Sequence, residues 1–437
     1  MSLGAGVVPL RTPKPDGLAA ALAAASVGSD VIELVDLNAE LLLDLVGDAR
    51  VVAIGEGAHN VQEFTAFADG LFRLLAERRG FTGFVKESGF AEGLTVDDWI
   101  HDAEGVSQAG VEAVASTGIS YGFGESEQIR AQLSWMRESV RAGNKLQFIG
   151  ADLPGSSTSP EAAVRQCLQR ISAEPGDAEL LRASELGGRT EAAIAYAAMT
   201  PAERDDWAAA MRRLARRATG SGDAVAAHCG ASILALLAEL REEPAPGAPF
   251  AREAFLADSV IWALERHERV VVSAHNSHLR KDGFASRPSL ISLLSDRMVA
   301  DGAAAGSVCV IALTYGSGPE VRFQQLSPRP FDCEVTLQER RLIHGSFEER
   351  IEHLLGHHEP SALVVPALLS PETLAGVQGT QASGGVDRVD DFAGSYDALI
   401  HLRHVARVPG AFERMRAEFA AGREASNERS TEVGAEL

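Results

Sequence analysis

Two segments far apart in the chain carry the residue types of acid–base chemistry: Gly55-Glu56-Gly57-Ala58-His59-Asn60 and Ala274-His275-Asn276-Ser277-His278. Glu56 and His59 are three apart, so both side chains can face one way if the turn leads into a helix. A carboxylate bonded to one imidazole nitrogen fixes the tautomer and leaves the other nitrogen to take a proton from water. Glu87 closes a further apolar run, Phe84-Val85-Lys86-Glu87, and is expected beside Glu56. These five groups, Glu56, His59, Glu87, His275 and His278, suit either of two chemistries. They could hold zinc, which takes three or four N/O ligands, or they could act without metal, with imidazoles donating to an oxyanion. Taken singly, each half has a plainer reading: a helix-capping Glu with a surface His, and an accidental His-x-x-His loop.

The elements around these segments explain why they would converge. Val51-Val52-Ala53-Ile54 and Val270-Val271-Val272 are β-rich apolar runs, which places both segments at the carboxyl ends of buried strands. In open α/β sheets, ligand sites form at that edge. Strands are expected at 51–55, 83–87 and 146–150, with a helix over 61–79 and helical segments near 92–101 and 126–142. This alternation predicts an α/β fold with a central, mostly parallel sheet flanked by helices. Between 159 and 267 helical spacing takes over, as at Trp207 to Leu214 and Ala224 to Leu240. This stretch reads as an inserted helical layer or lid. Strand character returns at 269–274, 307–314 and 362–366, and near 397–407. The expected divisions are a loose N-terminus (1–16), a first part of the core (17–158), the insert (159–267), a second part of the core (268–420) and a frayed polar tail (421–437). The segment from Gly17 loosely resembles a signal peptide, but its alanines favour a first helix.

The chain has 437 residues, 46% hydrophobic and 23% charged, with a formal net charge of -21. That charge argues against nucleic acid and anionic membranes as partners and leaves small molecules open. No apolar run nears the roughly 18 residues of a membrane span. The four cysteines show neither C-x-x-C spacing nor a dense framework, the usage of free thiols in a reducing, cytoplasmic setting.

Other motifs are weaker. Gly118-Ile119-Ser120-Tyr121-Gly122 matches G-x-S-x-G, but a nucleophile elbow needs a strand before it and a polar Ala-rich stretch stands there instead. His353, His357 and His358 lie beside Glu348, Glu349 and Glu352 without His-Glu-x-x-His order, as on a solvated helix face. No P-loop or dinucleotide fingerprint is present.

Six motifs in register resemble the erythromycin esterase family. GEGAHN with Glu63-Phe64 resembles that family's GE-x-T-H-G-x-x-E-F opening, and VKESGF its second acidic strand end. Trp135-Met136-Arg137 with Phe148 to Asp152 resembles its W-x-R helix and F-x-G-x-D strand. Arg252 to Trp262 resembles a further helix, SAHNSH the A-H-N-x-H signature, and Tyr396 to Ile400 the closing Y-D-A-x-I strand. The resemblance spans about residues 30 to 410. It implies hydrolysis of a macrolactone ester with no required metal or cofactor. It also implies a water-activating histidine at His59 or His275, with Glu56, Glu87 and His278 in support. Asn60, Asn276, Asp152 and Arg73 are the substrate-binding candidates. The sequence departs from the pattern at Ala68, where macrolide-opening members carry arginine, and at Ser273, Glu253, Leu256 and Ser259.

The leading expectation is therefore a metal-independent hydrolase acting on an ester or lactone of a bulky, macrolide-like natural product. Alternatives are a biosynthetic tailoring enzyme doing acyl transfer, cyclisation or elimination, a metal-dependent hydrolase, and a binding protein that sequesters its ligand. Substrate and oligomeric state are not legible.

Overall fold

The computed structural model describes residues 7–10, 34–241, 244–304, 306–327, 332–356, 361–382 and 384–435, with the backbone alone for 425–435. The Ala-rich helix expected from Gly17, and His357 and His358, lie outside these residues.

The described residues form twelve strands: β1 (Val7–Pro9), β2 (Val51–Glu56), β3 (Gly83–Gly89), β4 (Gln147–Asp152), β5 (Val270–His275), β6 (Val308–Ser317), β7 (Pro319–Gln325), β8 (Cys333–Glu339), β9 (Ser361–Val364), β10 (Gly379–Ala382), β11 (Gly385–Arg388) and β12 (Ala398–His404). Eight of them form one sheet in the order β1-β9-β12-β6-β2-β5-β3-β4. β12, β6, β2, β5, β3 and β4 run parallel, and β9 is antiparallel to its neighbours β1 and β12. The expected mostly parallel α/β sheet is thus present. Within the stretch read as loose, Val7–Pro9 forms the edge strand. The polar segment from 421 continues the last helix, Ala411–Ala435.

β2 and β3 are buried along their whole length, and β5 up to its last residue, His275, as strands covered on both faces should be. Side chains alternate between the faces. Val51, Ala53, Val270 and Val272 join one core; Val52, Ile54, Phe84 and Val271 join the other. The expected insert supplies helices from Glu161–Arg170 to Ala251–Leu264. Their Trp207, Met211, Ile233 and Phe255 pack into the first core, so most of the insert is a layer on the sheet rather than a flap above it. Helices Gln62–Arg79 and Glu127–Arg141 cover the other face. The four cysteines are buried and unpaired, and no helix of the described residues is long and apolar enough to cross a membrane.

The strand order corrects one expectation. Glu56 and Glu87 do not emerge from adjacent strands, because β5 lies between β2 and β3. The neighbour of Glu56 in register is His275. The two histidine-bearing segments therefore leave the sheet side by side.

Close packing behind this edge needs a residue without a side chain. A Cβ on Gly55 would lie 2.1 Å from Asn276 Oδ1, inside a buried contact that cannot open. Gly55→Ala is expected to destabilise the protein by about 1–3 kcal/mol, the usual cost of overpacking. Gly220, which has open space around it in the helix Pro201–Gly220, should accept alanine with no loss. Denaturant midpoints of the two variants would check the contrast, and equal midpoints would contradict it.

Candidate active site

Each acidic or basic group stands at a strand end for a local reason. β2 ends at Glu56, and Gly57 to Asn60 turn the chain into helix Gln62–Arg79, with Asn60 at φ 58°. Arg407 braces the turn by donating to the His59 carbonyl at 3.0 Å. Glu63 of the same helix is buried and accepts the Ala406 N–H at 2.8 Å. Burial raises its carboxyl to about 7 against that hydrogen bond. The glutamate of the Glu63-Phe64 pair thus anchors the loop after β12 and does not reach the site.

His59 Nδ1 lies 2.7 Å from Glu56 Oε1, and its side chain is 38% exposed against 9% for the carboxylate. Burial alone would raise Glu56, but the Lys86 ammonium and His59 outweigh it and hold the carboxyl below its ordinary value. An ionised Glu56 accepts from Nδ1–H, which puts the free lone pair of His59 on Nε2. The carboxylate that orients His59 is therefore Glu56.

His275 carries the opposite tautomer. It caps the short turn after β5, where its Nδ1 accepts from the Ser277 N–H at 3.3 Å and lies 2.9 Å from Ser277 Oγ. Its proton is then on Nε2. Burial, with the charges of His59 and His278 nearby, pushes His275 down to about 3, so it stays neutral near pH 7. Its ring centroid is 5.0 Å from that of His59. One imidazole offers a lone pair and its neighbour offers an N–H.

Glu87 is a hub. Its Oε1 accepts from Arg252 Nη2 at 2.8 Å and lies 3.2 Å from His278 Nε2; its Oε2 accepts the His275 backbone N–H at 2.7 Å. Burial opposes ionisation, yet His278, His59 and Arg252 hold its carboxyl well below the usual range. His278 is also 2.5 Å from Glu253 through Nδ1. Burial would lower its pKa, but Glu87 and Glu253 raise it to about 10. It is an imidazolium held on both sides, and it takes no part in proton transfer near neutrality. Arg252 comes within 3.4 Å of His278 Nε2, both cations being drawn to Glu87.

The other expected site residues divide. Asn60 lines the cavity. Asp152 is fully buried and grips Arg252 through two hydrogen bonds of 2.9 and 2.6 Å, so it positions a cation instead of touching a ligand. Asn276 does not line the cavity either: it is buried and ties β5 to β6 by donating to the Leu313 carbonyl at 3.0 Å. Arg73 is outside the site, bound to Asp69 at 2.9 and 2.8 Å and stacked over Trp135. Ala68 is core and does not line the cavity. Ser120 is no nucleophile: its Oγ accepts from the Gly89 N–H at 2.9 Å, inside a tight turn with no strand before it. His353 is exposed on its helix, as expected.

Sequence reasoning missed much of the wall. The cavity, about 560 Å³, is also lined by Tyr121, Phe123, Glu125, Arg189, Phe323, Arg414, Met415, Glu418 and Phe419. Among the described residues of the insert, only Arg189 and Arg252 line it. The Tyr121 hydroxyl donates to Asp152 at 2.9 Å, and burial keeps it protonated. Lys86, which strand position alone would bury, donates to Ser273 at 3.3 Å. That contact gives the departure at Ser273 a role. The only hint of Arg252 was its weak helix motif.

Among the described residues a divalent cation has one candidate position. Ligand atoms of Glu56, His59 and Glu87 lie within 4.8 Å of one another. The donor set fits such an ion poorly, because Glu87 already serves two cations and Glu56 is bonded to His59.

The paired state of His278 has a measurable signature. Its pKa is raised from 6.5 to about 10, so its stabilisation is complete below pH 6.5 and fades as pH rises through 10. Stability by urea titration should fall over that window, and His278→Gln should remove that part of the slope. An unchanged slope would contradict the pairing.

Comparison with known proteins agrees with this architecture. The chain is 26% identical over 280 residues to erythromycin esterase type II of Escherichia coli, covering 56% of this chain and 65% of that protein. It is 32% identical over 118 residues to the type I enzyme of Escherichia coli, covering 27% of each. The chain thus spans less than two thirds of the length of these relatives. Among solved structures, an erythromycin esterase mutant in its open conformation superposes with a TM-score of 0.67 at 20% identity, over 85% of this chain and 95% of that one. A succinoglycan biosynthesis protein superposes equally, with a TM-score of 0.67 at 19% identity, over 92% and 95%. These likenesses show the fold. The family model for erythromycin esterase matches residues 76–405, three quarters of the chain, and the protein belongs to the erythromycin esterase family.

Proposed function

We infer that the protein is a hydrolase that opens an ester or lactone of a bulky natural product, with His59 as general base and no required metal. One observation carries this reading: two adjacent imidazoles in complementary tautomers at one cavity floor. His59 is set by Glu56 to accept, and His275 is set by Ser277 to donate.

The steps follow from those protons. Water attacks the ester carbonyl carbon as its proton passes to His59 Nε2, and Glu56 stabilises the imidazolium that forms. The carbonyl oxygen becomes an oxyanion, accepts the His275 Nε2–H and lies in the field of the Arg252 and His278 cations. When the intermediate collapses, the carbon–alkoxide bond breaks and the alkoxide takes the proton from His59. A positioned base is worth about 10²–10⁴-fold, and an oxyanion donor about 10²–10³-fold.

His59→Ala should therefore abolish turnover without lowering the melting temperature, and Glu56→Gln should cut kcat by about 10²-fold or more. His275→Ala should cost about 10²–10³-fold in kcat. The assay is a panel of macrolides and other natural-product esters in ¹⁸O-water, read by mass spectrometry. Hydrolysis places label in the acid product. Ala68, where macrolide-opening members carry arginine, favours one other reading, acyl transfer or elimination on the same base, which would give unlabelled product. Activity that survives in His59→Ala overturns the base assignment. Loss of activity on chelation, restored by a divalent ion, overturns the metal-free mechanism.

A further inference from the structure

The floor of the cavity does chemistry; its outer side has a different character. The hairpin β7–β8 and the start of helix Ala411–Ala435 face the histidines with Phe323, Met415 and Phe419. These side chains belong to neither sheet core. Met415 and Phe419, with Phe412, pack on Val321, Cys333 and Val335 of the hairpin as a small separate cluster. Phe323 and Phe419 have ring centroids 5.7 Å apart. Phe323, Met415 and Phe419 thus line the same cavity as His59, His275 and His278.

The charges around this wall are all spoken for. Arg414 pairs with Glu125, whose carboxylate lies on the far lip of the cavity. Glu418 takes the Thr190 hydroxyl at 3.1 Å and has Arg189 at 3.9 Å. Arg252 is shared by Glu87 and Asp152. Three arginines and three glutamates line the cavity, and each has an opposite charge beside it. His278 is paired twice and His275 is neutral. A charged substrate would lose its hydration and find no free countercharge, a cost of several kcal/mol per ion. The net charge of -21 adds a field against anions. An apolar group loses nothing on entering.

We propose that the β7–β8 hairpin and the first turns of helix Ala411–Ala435 form a substrate-selecting wall that takes the neutral, apolar acyl or alkoxy part of the ester and rejects anionic esters. The proposal rests on the hydrolase reading above for its catalytic readout, and adds the substrate class. Met415 and Phe419 are the specificity-determining residues, and the Arg189–Glu418 and Arg414–Glu125 pairs join the wall to the opposite lip.

The test uses the full chain and three probes: p-nitrophenyl acetate, p-nitrophenyl octanoate and the anionic mono-p-nitrophenyl succinate. Wild type should prefer the octanoate by kcat/KM and hydrolyse the succinate ester least. Met415→Ala and Phe419→Ala should each lower the octanoate-to-acetate ratio about tenfold, the worth of one large apolar contact. Phe412→Ala loosens the same cluster without lining the cavity and should leave the ratio at its wild-type value. Glu418→Gln removes one carboxylate from the cavity wall beside Arg189 and should raise the relative kcat/KM of the succinate ester severalfold. Equal ratios in all four proteins, or the same fall in Phe412→Ala as in Phe419→Ala, overturn the proposal. If wild type hydrolyses none of the three, the hydrolase reading fails on its own, and titration calorimetry with p-nitrophenyl octyl ether decides the wall. Binding that weakens about tenfold in Phe419→Ala but not in Phe412→Ala supports it. No binding to wild type overturns it.

Discussion

Glu87 has both carboxylate oxygens engaged by groups from two other parts of the fold: Arg252 from the inserted helices, and His278 and the His275 backbone from the loop after β5. Asp152, from β4, holds the other side of Arg252. Three strands, β3, β4 and β5, and the helical layer thus meet at one buried ion cluster. Such a cluster is a poor source of net stability, because desolvation cancels much of the attraction. Breaking it is another matter, since any single loss leaves an uncompensated charge in a dry site. The cluster therefore fixes geometry more than it adds stability. It sets where β5 ends, and so where the His275 ring stands relative to His59.

That constraint separates the two carboxylates that sequence reasoning treated as equals. Glu87 spends its charge on cations that never move a proton near pH 7. Glu56 has His59 as its hydrogen-bonded partner, with the buried Lys86 ammonium nearby. Equivalent residue types at equivalent strand ends thus divide into an anchor and an orienting group, because their neighbours differ. The histidines divide in the same way. His278 is locked as a cation between two carboxylates, His275 is locked neutral by a backbone N–H on Nδ1, and His59 is half-exposed with its Nε2 lone pair available.

Much of this was legible in the chain. Val51 to Ile54 and Val270 to Val272 are β-branched runs that could only be buried strands, and they delivered Glu56 and His275 to one edge. The order of strands was not legible, because apolar runs covered on both faces carry no mark of their neighbours; so β5 was not expected between Glu56 and Glu87. Asn276 and Arg73 were plausible ligand contacts by type and spacing. A hydrogen bond to Leu313 and an ion pair with Asp69 took them elsewhere. The pairing of Arg252 with Asp152 joins residues a hundred positions apart, and no local pattern encodes it. The helix bearing Met415 and Phe419 drew no expectation, because only a few of its apolar residues pack, and they pack on a small hairpin instead of the sheet.

The same logic bears on the missing arginine. A cation at position 68 would rise from helix Gln62–Arg79, behind the turn that carries His59. Here that helix face is packed into the core at Ala68 and Phe67, and the positive charge near the reacting centre comes from across the cavity, through Arg252. A cation held by Glu87 and Asp152 is fixed before any substrate arrives, so it needs no reorganisation when an oxyanion forms. It is also fully neutralised by those carboxylates, so it contributes a direction of field more than a binding site for an anion. Under the proposed hydrolase reading, a centre built this way stabilises negative charge that develops during reaction while offering little to a substrate that already carries it. This is the balance expected where the scissile group is a neutral ester buried against an apolar wall.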